Sequence, residues 1–374
     1  MDITRDNFEI HLDYIQESIS EASFIAIDAE FSGLHVGAET KDAPNDTHED
    51  RYLKNRRMAE AYDIIQFEPH HPAYYEARTF NFYLFPTTVS VGRAHLDVMG
   101  SFQNSALDFL ARSKFDFNKW ITAGIPYMNP AQVVECRSRR QEELHNGLPD
   151  IPVDDKSEQF YRHLDRKLKK WASNPSAPLK LTVSSNYQRR LIHQHVRSLG
   201  PRFVSKSYGN HVQVTCISSE QAKTRKMQRI TEFENNLKRA EGFSQVIKML
   251  IRARKPLIGH NMFLDLCHLY DQFWERLPPT LVEFQRAIHK LFPRIWDTKN
   301  MAEEIFNYGG GDGTHHQLET KLEDLYRDNR HVKWDYPYVR LHNEFNRYES
   351  DKFHEAGFDS LITGIVFARL HRRW

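Results

Sequence analysis

Cysteine is scarce in this chain: three in 374 residues, Cys136, Cys216 and Cys267, with no Cys-x-x-Cys pair among them. An odd, scattered set argues against a disulfide framework and a thiolate zinc site, and fits a reducing compartment, cytoplasmic or nuclear. No apolar run approaches the ~20 residues of a membrane span. The opening residues MDITRDNFEI carry acids and no apolar core, so no signal peptide is expected. Internal repeats are absent as well. What remains is the balance of a soluble globular protein, 40% hydrophobic and 27% charged, at a length that suits one large domain or two ordinary ones.

The net charge of +1 hides an asymmetry. Residues 151–230 hold sixteen lysines and arginines against five acids, so the rest of the chain is acidic. A basic segment on an acidic body usually marks contact with a polyanion, such as nucleic acid or a membrane surface, and otherwise is a solvated basic surface.

Residues 23–28 read as a strand, as do Ile64–Glu68 and Phe80–Pro86. Lys41–Asp50 is a polar loop entering a helix near Arg51. Ser105–Phe117 and Asn129–Leu144 have helical spacing, the second opened by Asn129 as cap and Pro130 in the first turn. Asn146–Asp155, with a glycine, two prolines and three acids, reads as a boundary. Beyond it lie a basic helix (Phe160–Trp171), a helix containing Asn186–Gly200 and a short strand (His211–Ile217). The chain then returns through a charged helix to a helix, a strand at Pro256–Gly259 and a helix from about Asn261. Arg294–Phe306 repeats the strand-to-helix pattern, Tyr308–Gly313 is a flexible loop, and Glu349–Leu370 is a last helix. The expected organisation is one α/β domain in two parts, 1–150 and 231–374, interrupted by a basic insertion at 151–230.

Within the first strand, FIAIDAEFSG (Phe24–Gly33), two acids break an apolar run. With 50 acids in the chain, roughly six or seven acid-x-acid pairs arise by chance, so the spacing alone is a weak signal. Position strengthens it: strand alternation puts Asp28 and Glu30 on one face, where two carboxylates repel unless a cation lies between them. A structural reading, two acids bonding neighbours at a strand end, stays open on this ground alone. GHNMFLD places Asn261 and Asp265 four apart on one helix face among apolar neighbours, and HEAGFD places His354 at a helix entrance with Asp359 one turn in. Hard divalent cations want oxygen ligands, and two of them ~3.5–4 Å apart can clamp both ends of a phosphodiester displacement. A neutral histidine nearby can take the proton from water.

The order acid-x-acid, acid, His-x-x-x-x-acid is the signature of the DEDDh 3′-to-5′ exonucleases. DAEFSGL, NFYLFP, FDFNKWITAGIPYMN, LIGHNMFLDLCH, LFPRIWDTKN and HEAGFDSLITG together resemble the poly(A)-specific ribonuclease (PARN) family. The likeness is to its PARN-like branch in particular, which trims the 3′ ends of small-RNA precursors, and it covers about residues 1–150 and 230–370. The resemblance implies an RNase H-like mixed sheet flanked by helices, with a small α/β nucleic-acid-binding module inserted. It implies a Mg²⁺-dependent 3′-to-5′ exoribonuclease that releases 5′-nucleotides from single-stranded RNA with a free 3′-OH, in poly(A) tails or small-RNA precursors. Carried over by position, Asp28, Glu30, Asp265 and Asp359 would hold two Mg²⁺ ions, with Mn²⁺ as a substitute, and His354 would be the general base. Phe31, His260, Asn261 and Lys299 would contact RNA. In the insertion, Arg189-x-x-x-His193 is similar to the Arg-x-x-x-His module that interrupts the nuclease domain in this family. With Arg190 and Arg197 it is expected to grip the RNA backbone. The family also implies a homodimer and small-RNA pathway proteins as partners. The sequence as given stops at Trp374, before the RNA-recognition domain that follows the nuclease in the deadenylases and the terminal membrane helix of some animal trimmers, so cap recognition and membrane attachment both stay open. Two alternatives stay open: a nuclease-like RNA-binding scaffold without turnover, and a DNA-directed exonuclease of similar site.

Overall fold

The computed structural model describes residues 1–37, 40–41, 43–70, 75–86, 89–91, 94–96, 100–146, 150–309, 320–331, 339–348 and 351–372. From the N-terminus, β1 (Asp2–Ile3) and α1 (Phe8–Glu21) lead to β2 (Ile25–Phe31), α2 (His48–Ala61) and β3 (Ile64–His70). The short strands β4 (Glu76–Ala77), β5 (Asn81–Tyr83), β6 (Val89–Val91) and β7 (Ala94–Leu96) precede α3 (Asn104–Arg112), α4 (Phe117–Ala123) and α5 (Pro130–Asn146). The middle of the chain forms α6 (Glu158–Ser173), β8 (Leu179–Thr182), α7 (Asn186–Ser198), β9 (Phe203–Tyr208), β10 (His211–Cys216) and α8 (Ser219–Glu241). Next come α9 (Ser244–Ala253), β11 (Leu257–Gly259), α10 (Phe263–Phe273) and α11 (Leu281–Leu291). The last are β12 (Ile295–Asp297), α12 (Thr298–Gly309), α13 (Leu322–His331), β13 (Arg340–Leu341) and α14 (Ala356–Leu370).

The chain divides into two compact units, one built mainly from Glu135–Lys238 and the other from the segments on either side. The larger unit holds a six-stranded sheet in the order β1-β5-β3-β2-β11-β12. Its β1–β5, β2–β11 and β11–β12 pairs are parallel, and its β2–β3 and β3–β5 pairs antiparallel. The expectation of a mixed sheet flanked by helices therefore holds. Strand alternation divides the core between the two faces. Ile25, Ile27 and Ala29 of β2 join one apolar cluster with Leu266, Leu269 and Phe273 of α10, whereas Phe24 and Ala26 join another with Val366, Phe367 and Leu370 of α14. Helix α14 is buried along nearly its whole length, so it packs as a core element rather than as a half-solvated surface helix.

The smaller unit is a three-stranded antiparallel sheet, β8-β10-β9, with α6 and α7 on one face. Leu181, Val183, Val212 and Val214 of the sheet side meet Leu164, Leu168, Ile192 and Val196 of the helices. Here β8 and β9 were not anticipated: LKLT is only four residues long, FVSKSY has three polar residues in a row, and pairing with β10 is what makes them strands.

Five of the element ends that differ from the sequence reading have a local reason. Strand β2 runs on to Phe31, past residue 28, because β3 pairs with it through Glu30 and, after a bulge, Phe31. Helix α2 starts at His48, set by a Thr47–Asp50 capping box. Ser105–Phe117 is not one helix: α3 stops at Arg112 and Lys114 adopts φ 62° before α4. The helix expected from Asn261 starts at Phe263, and the last helix at Ala356, because Asn261 (φ 55°) and His354 (φ 64°) are left-handed. The Asn129 cap is present, exchanging hydrogen bonds with Gln132. Of the glycine-rich loop, 310–313 lies outside the described residues, as does 147–149 of the boundary segment. All three cysteines are free, and among the described residues no helix is long and apolar enough to cross a membrane.

At the end of β11 the chain turns sharply, and a Cβ on Gly259 would lie 2.4 Å from Met262 Cβ. Gly259→Ala should therefore open this corner and lower stability by about 1–3 kcal/mol. Urea denaturation measures it; an unchanged midpoint at unchanged slope would refute the close approach.

Candidate active site

The face of β2 that sets Phe24 and Ala26 against α14 continues, two residues at a time, through Asp28 and Glu30. The first turn of α14 delivers Asp359 to the same place. One carboxylate oxygen from each of Asp28, Glu30 and Asp359 lies within 4.8 Å of the others. Asp265, in the first turn of α10, stands outside that group of three but is near enough for its charge to raise the Glu30 pKa. The four acids therefore arrive from three elements: β2, with α10 packed on one of its faces and α14 on the other.

Burial and mutual repulsion act on them together. Desolvation, then the charges of Asp359, Asp265 and Glu355, push the Glu30 carboxyl well above its ordinary range. Burial raises Asp265 to about 7, opposed by its own backbone N–H and that of Ala29. Burial likewise raises Asp359 to about 7, opposed by the His354 backbone N–H, which donates to Oδ2 at 3.0 Å. Among the described residues, none of the groups shifting these three acids is a cation. Three hard oxygen donors so close together, with a fourth acid beside them, form a fitting cradle for a divalent cation such as Mg²⁺ or Mn²⁺ and a poor one for anything else.

His354 stands next to this cluster. It is exposed, its backbone is left-handed, and its ring meets the edge of Phe109 with centroids 5.0 Å apart. Phe31 turns to the other face of β2, where it stacks on the buried His268 ring at 4.4 Å. Beside Glu30 and Phe31 opens a cavity of about 260 Å³, bordered by Leu34 and by Ala106, Phe109 and Leu110 of α3. Gln103 ties its two walls together: its side chain accepts from the Leu34 and His35 N–H groups, and its own N–H donates to the Ser32 carbonyl.

His260, Asn261 and Lys299 gather around Asp297 at the ends of β11 and β12. Asp297 Oδ1 accepts from the N–H groups of Asn261 (2.9 Å) and Lys299 (3.0 Å), and Oδ2 from that of Met262 (2.9 Å). The Asn261 backbone bond fixes its left-handed turn, so Asn261 lies before α10 and not on one helix face with Asp265. His260 Nδ1 bonds Thr298 Oγ1 at 2.9 Å, and burial lowers its pKa to about 4, so the ring is neutral.

Arg189, Arg190, His193 and Arg197 all lie on α7 of the smaller unit. Arg189 donates to the Gly209 carbonyl at 2.6 Å and to Asn186 at 3.2 Å. His193 lies between the Ser205 and Ser207 hydroxyls at 2.7 and 2.8 Å, Arg197 pairs with Asp150, and Arg190 is exposed.

Sequence reasoning missed three contributors. Asp297 organises the corner from which α10 departs, and its signal was an acid ending a strand immediately before Thr-Lys-Asn, a cap pattern. Glu355, which accepts from Tyr348 Oη at 2.9 Å, adds negative charge beside Glu30 and Asp359. Phe109, remote in sequence, had no signal.

Comparison with known proteins follows the same lines. The family model described as CAF1 family ribonuclease matches residues 3–367. Xenopus laevis poly(A)-specific ribonuclease PARN is 30% identical over 98% of this chain and 62% of its own length. The Bombyx mori pre-piRNA 3′-exonuclease trimmer is 30% identical over 99% of this chain and 71% of its own. The chain thus spans about 60% of the length of the PARN proteins it matches. A solved structure of S. pombe Pop2p in its Mg²⁺- and Mn²⁺-bound form superposes with TM-score 0.51 over 100% of this chain and 92% of that one, at 13% identity. That likeness is one of fold, the RNase H-like mixed sheet with flanking helices.

The raised carboxyls carry a pH signature. Between the ordinary carboxyl pKa near 4 and the folded values near 7, the folded state holds protons the unfolded chain has released, so stability of the metal-free protein falls as pH rises through that window. Mg²⁺ or Mn²⁺ should raise the thermal midpoint at pH 8 and much less at pH 5, by about 2.7 kcal/mol of stability at a hundredfold excess over Kd. Asp359→Asn should stabilise the metal-free protein at pH 8 and remove most of the metal increment. Equal metal shifts at both pH values would refute the site.

Proposed function

The chain belongs to the CAF1 family of ribonucleases, and on that premise we propose that it is a 3′-to-5′ exoribonuclease that shortens single-stranded RNA from a free 3′-OH and releases 5′-nucleotides. The observation that carries the reading is the gathering of Asp28, Glu30 and Asp359 within 4.8 Å, with Asp265 beside them. Held by these four carboxylates, two Mg²⁺ or Mn²⁺ ions would supply the positive charge that lets a phosphodiester accept a hydroxide and release an alkoxide.

The remaining work falls to the chain's own groups. His354, exposed and hydrogen-bonded through its backbone to Asp359, takes the proton from the attacking water. The cavity between Phe31, Leu34 and Phe109 seats the terminal nucleoside, its aromatic walls offering a face to the base and excluding water from one side of the scissile phosphate. His260, Asn261 and Lys299, on the corner organised by Asp297, meet the RNA at the site's other edge. The larger unit is acidic, so the upstream strand runs over the basic unit. Relatives carry the names of both a poly(A)-specific ribonuclease and a pre-piRNA 3′-exonuclease, so the substrate is stated as single-stranded RNA 3′ ends, in tails or in small-RNA precursors. The same resemblance leads us to expect a homodimer, which sedimentation of the intact chain measures.

Asp265→Ala should abolish hydrolysis while circular dichroism and RNA affinity stay near wild type, and EDTA should stop the wild type. His354→Ala should slow single-turnover cleavage by ~10²–10⁴. Wild-type turnover in the aspartate variant, or an undiminished rate in the histidine variant, would remove that residue from the mechanism.

Direction is read from end-labelled RNA. A 3′ label should appear at once as mononucleotide, a 5′ label should move down a ladder, and a 3′-phosphate should slow or stop both. Cutting of circular RNA would overturn the exonuclease reading. Equal digestion of DNA would favour the DNA-directed alternative, and binding without any turnover the scaffold.

A further inference from the structure

In the smaller unit, the sheet face opposite α6 and α7 is not used by any step above. The helices cover Leu181, Val183, Val212 and Val214. On β9, Phe203 packs toward that cluster and Ser205 and Ser207 bond to His193 of α7. Alternation therefore places Val204, Lys206 and Tyr208 on the far face, beside His211, Gln213 and Thr215 of β10 and Lys180 and Thr182 of β8. The register sets Tyr208 opposite His211, Lys206 opposite Gln213, and Gln213 opposite Lys180, so two rings and two ammonium groups lie across adjacent strands.

Three observations give this face a chemistry. The Tyr208 and His211 rings stack with centroids 5.6 Å apart and planes 16° from parallel, and Tyr208 is 42% exposed. Lys206 Nζ lies 5.4 Å from the Tyr208 ring centre, and Lys180, Thr182 and Lys206 are exposed. Between Asp165 and Glu220 the chain has no acidic residue and ten lysines and arginines, so none of the three strands carries a negative side chain. An open aromatic pair on a basic, acid-free sheet suits a flexible polyanion with flat rings.

We propose that this face is a platform for single-stranded RNA, on which Tyr208 and His211 stack bases while Lys180 and Lys206 meet the phosphates. It rests on the exoribonuclease reading, because it holds the strand upstream of the 3′ end. Arg189 and His193 are positioning residues for it: Arg189 secures the Gly209 carbonyl in the turn that brings Tyr208 opposite His211, and His193 anchors β9 from behind.

The test uses the full chain, a fluorescein-labelled oligo(U) of twenty nucleotides in EDTA for affinity, and a trinucleotide with Mg²⁺ for cleavage. Tyr208→Ala should weaken binding of the longer RNA by roughly 5- to 100-fold, and Tyr208→Phe should restore it. Lys180→Ala with Lys206→Ala should lower the slope of log affinity against log salt by about 1.4. Trinucleotide cleavage should be unchanged in every variant. Wild-type affinity and slope in both alanine variants would overturn the platform, with a lowered melting temperature marking the rings as a cross-strand pair that serves only the sheet. If trinucleotide cleavage is normal in that experiment, the exoribonuclease reading survives. If the variants lose affinity as expected but the wild type cleaves neither RNA, the platform stands and the nuclease reading falls.

Discussion

Repulsion among buried carboxylates is the constraint around which the larger unit is built. Two like charges near 4.8 Å repel by roughly 3 kcal/mol at an effective dielectric of 20, and Asp28, Glu30 and Asp359 are held at that range with Asp265 close by. A surface loop would relax and separate them. Here β2 is flanked by paired strands on both sides, and α14 is buried along almost its entire length, so neither can yield without exposing core. The apolar clusters on the two faces of β2 thus hold in place a site that is unfavourable until a cation or protons neutralise it.

The two helices that deliver acids to β2 are introduced in the same manner. Asn261 and His354 are among the few non-glycine residues with positive φ, each stands shortly before a helix, and each helix carries its acid in the first turn. A left-handed residue costs on the order of 1–3 kcal/mol unless its surroundings enforce it. Asp297 enforces the first by accepting from Asn261 and Met262, and Asp359 itself accepts from the His354 backbone in the second. In the second case Asp359 and the adjacent histidine fix one another, so a change at either is expected to be felt by both.

The two units divide labour by charge. Acids concentrate where a cation is to be held, and the smaller unit has a long stretch free of them. On its α7, Arg189 and His193 bond the Gly209 carbonyl and the Ser205 and Ser207 hydroxyls of the neighbouring strands, while Lys180, Lys206 and Tyr208 face solvent.

How much of this was legible without coordinates follows from the range of each interaction. Alternation along a strand is local, so Asp28 and Glu30 on one face could be read from FIAIDAEF, and the helix bearing Asp359 from its apolar run. The Asn129–Pro130 start of α5 and the charge imbalance were equally local. The left-handed entries at Asn261 and His354 were not, because the groups that stabilise them, Asp297 and Asp359, come from across a strand pair or a turn. Strand β8 is too short and β9 too polar to stand out in the sequence, and both are set by their pairing with β10. Phe109 reaches His354 from 245 positions away in the chain, and the cavity it borders is made by packing α3 against the exit of β2. The sequence by itself determined the order of strands and helices and which segment is basic, since composition and short periodicities carry that information, and its resemblance to a known family pointed to the four acids and the mixed sheet. Only the tertiary structure decided which of those charges face one another and which face water, because that depends on contacts between residues far apart in the chain.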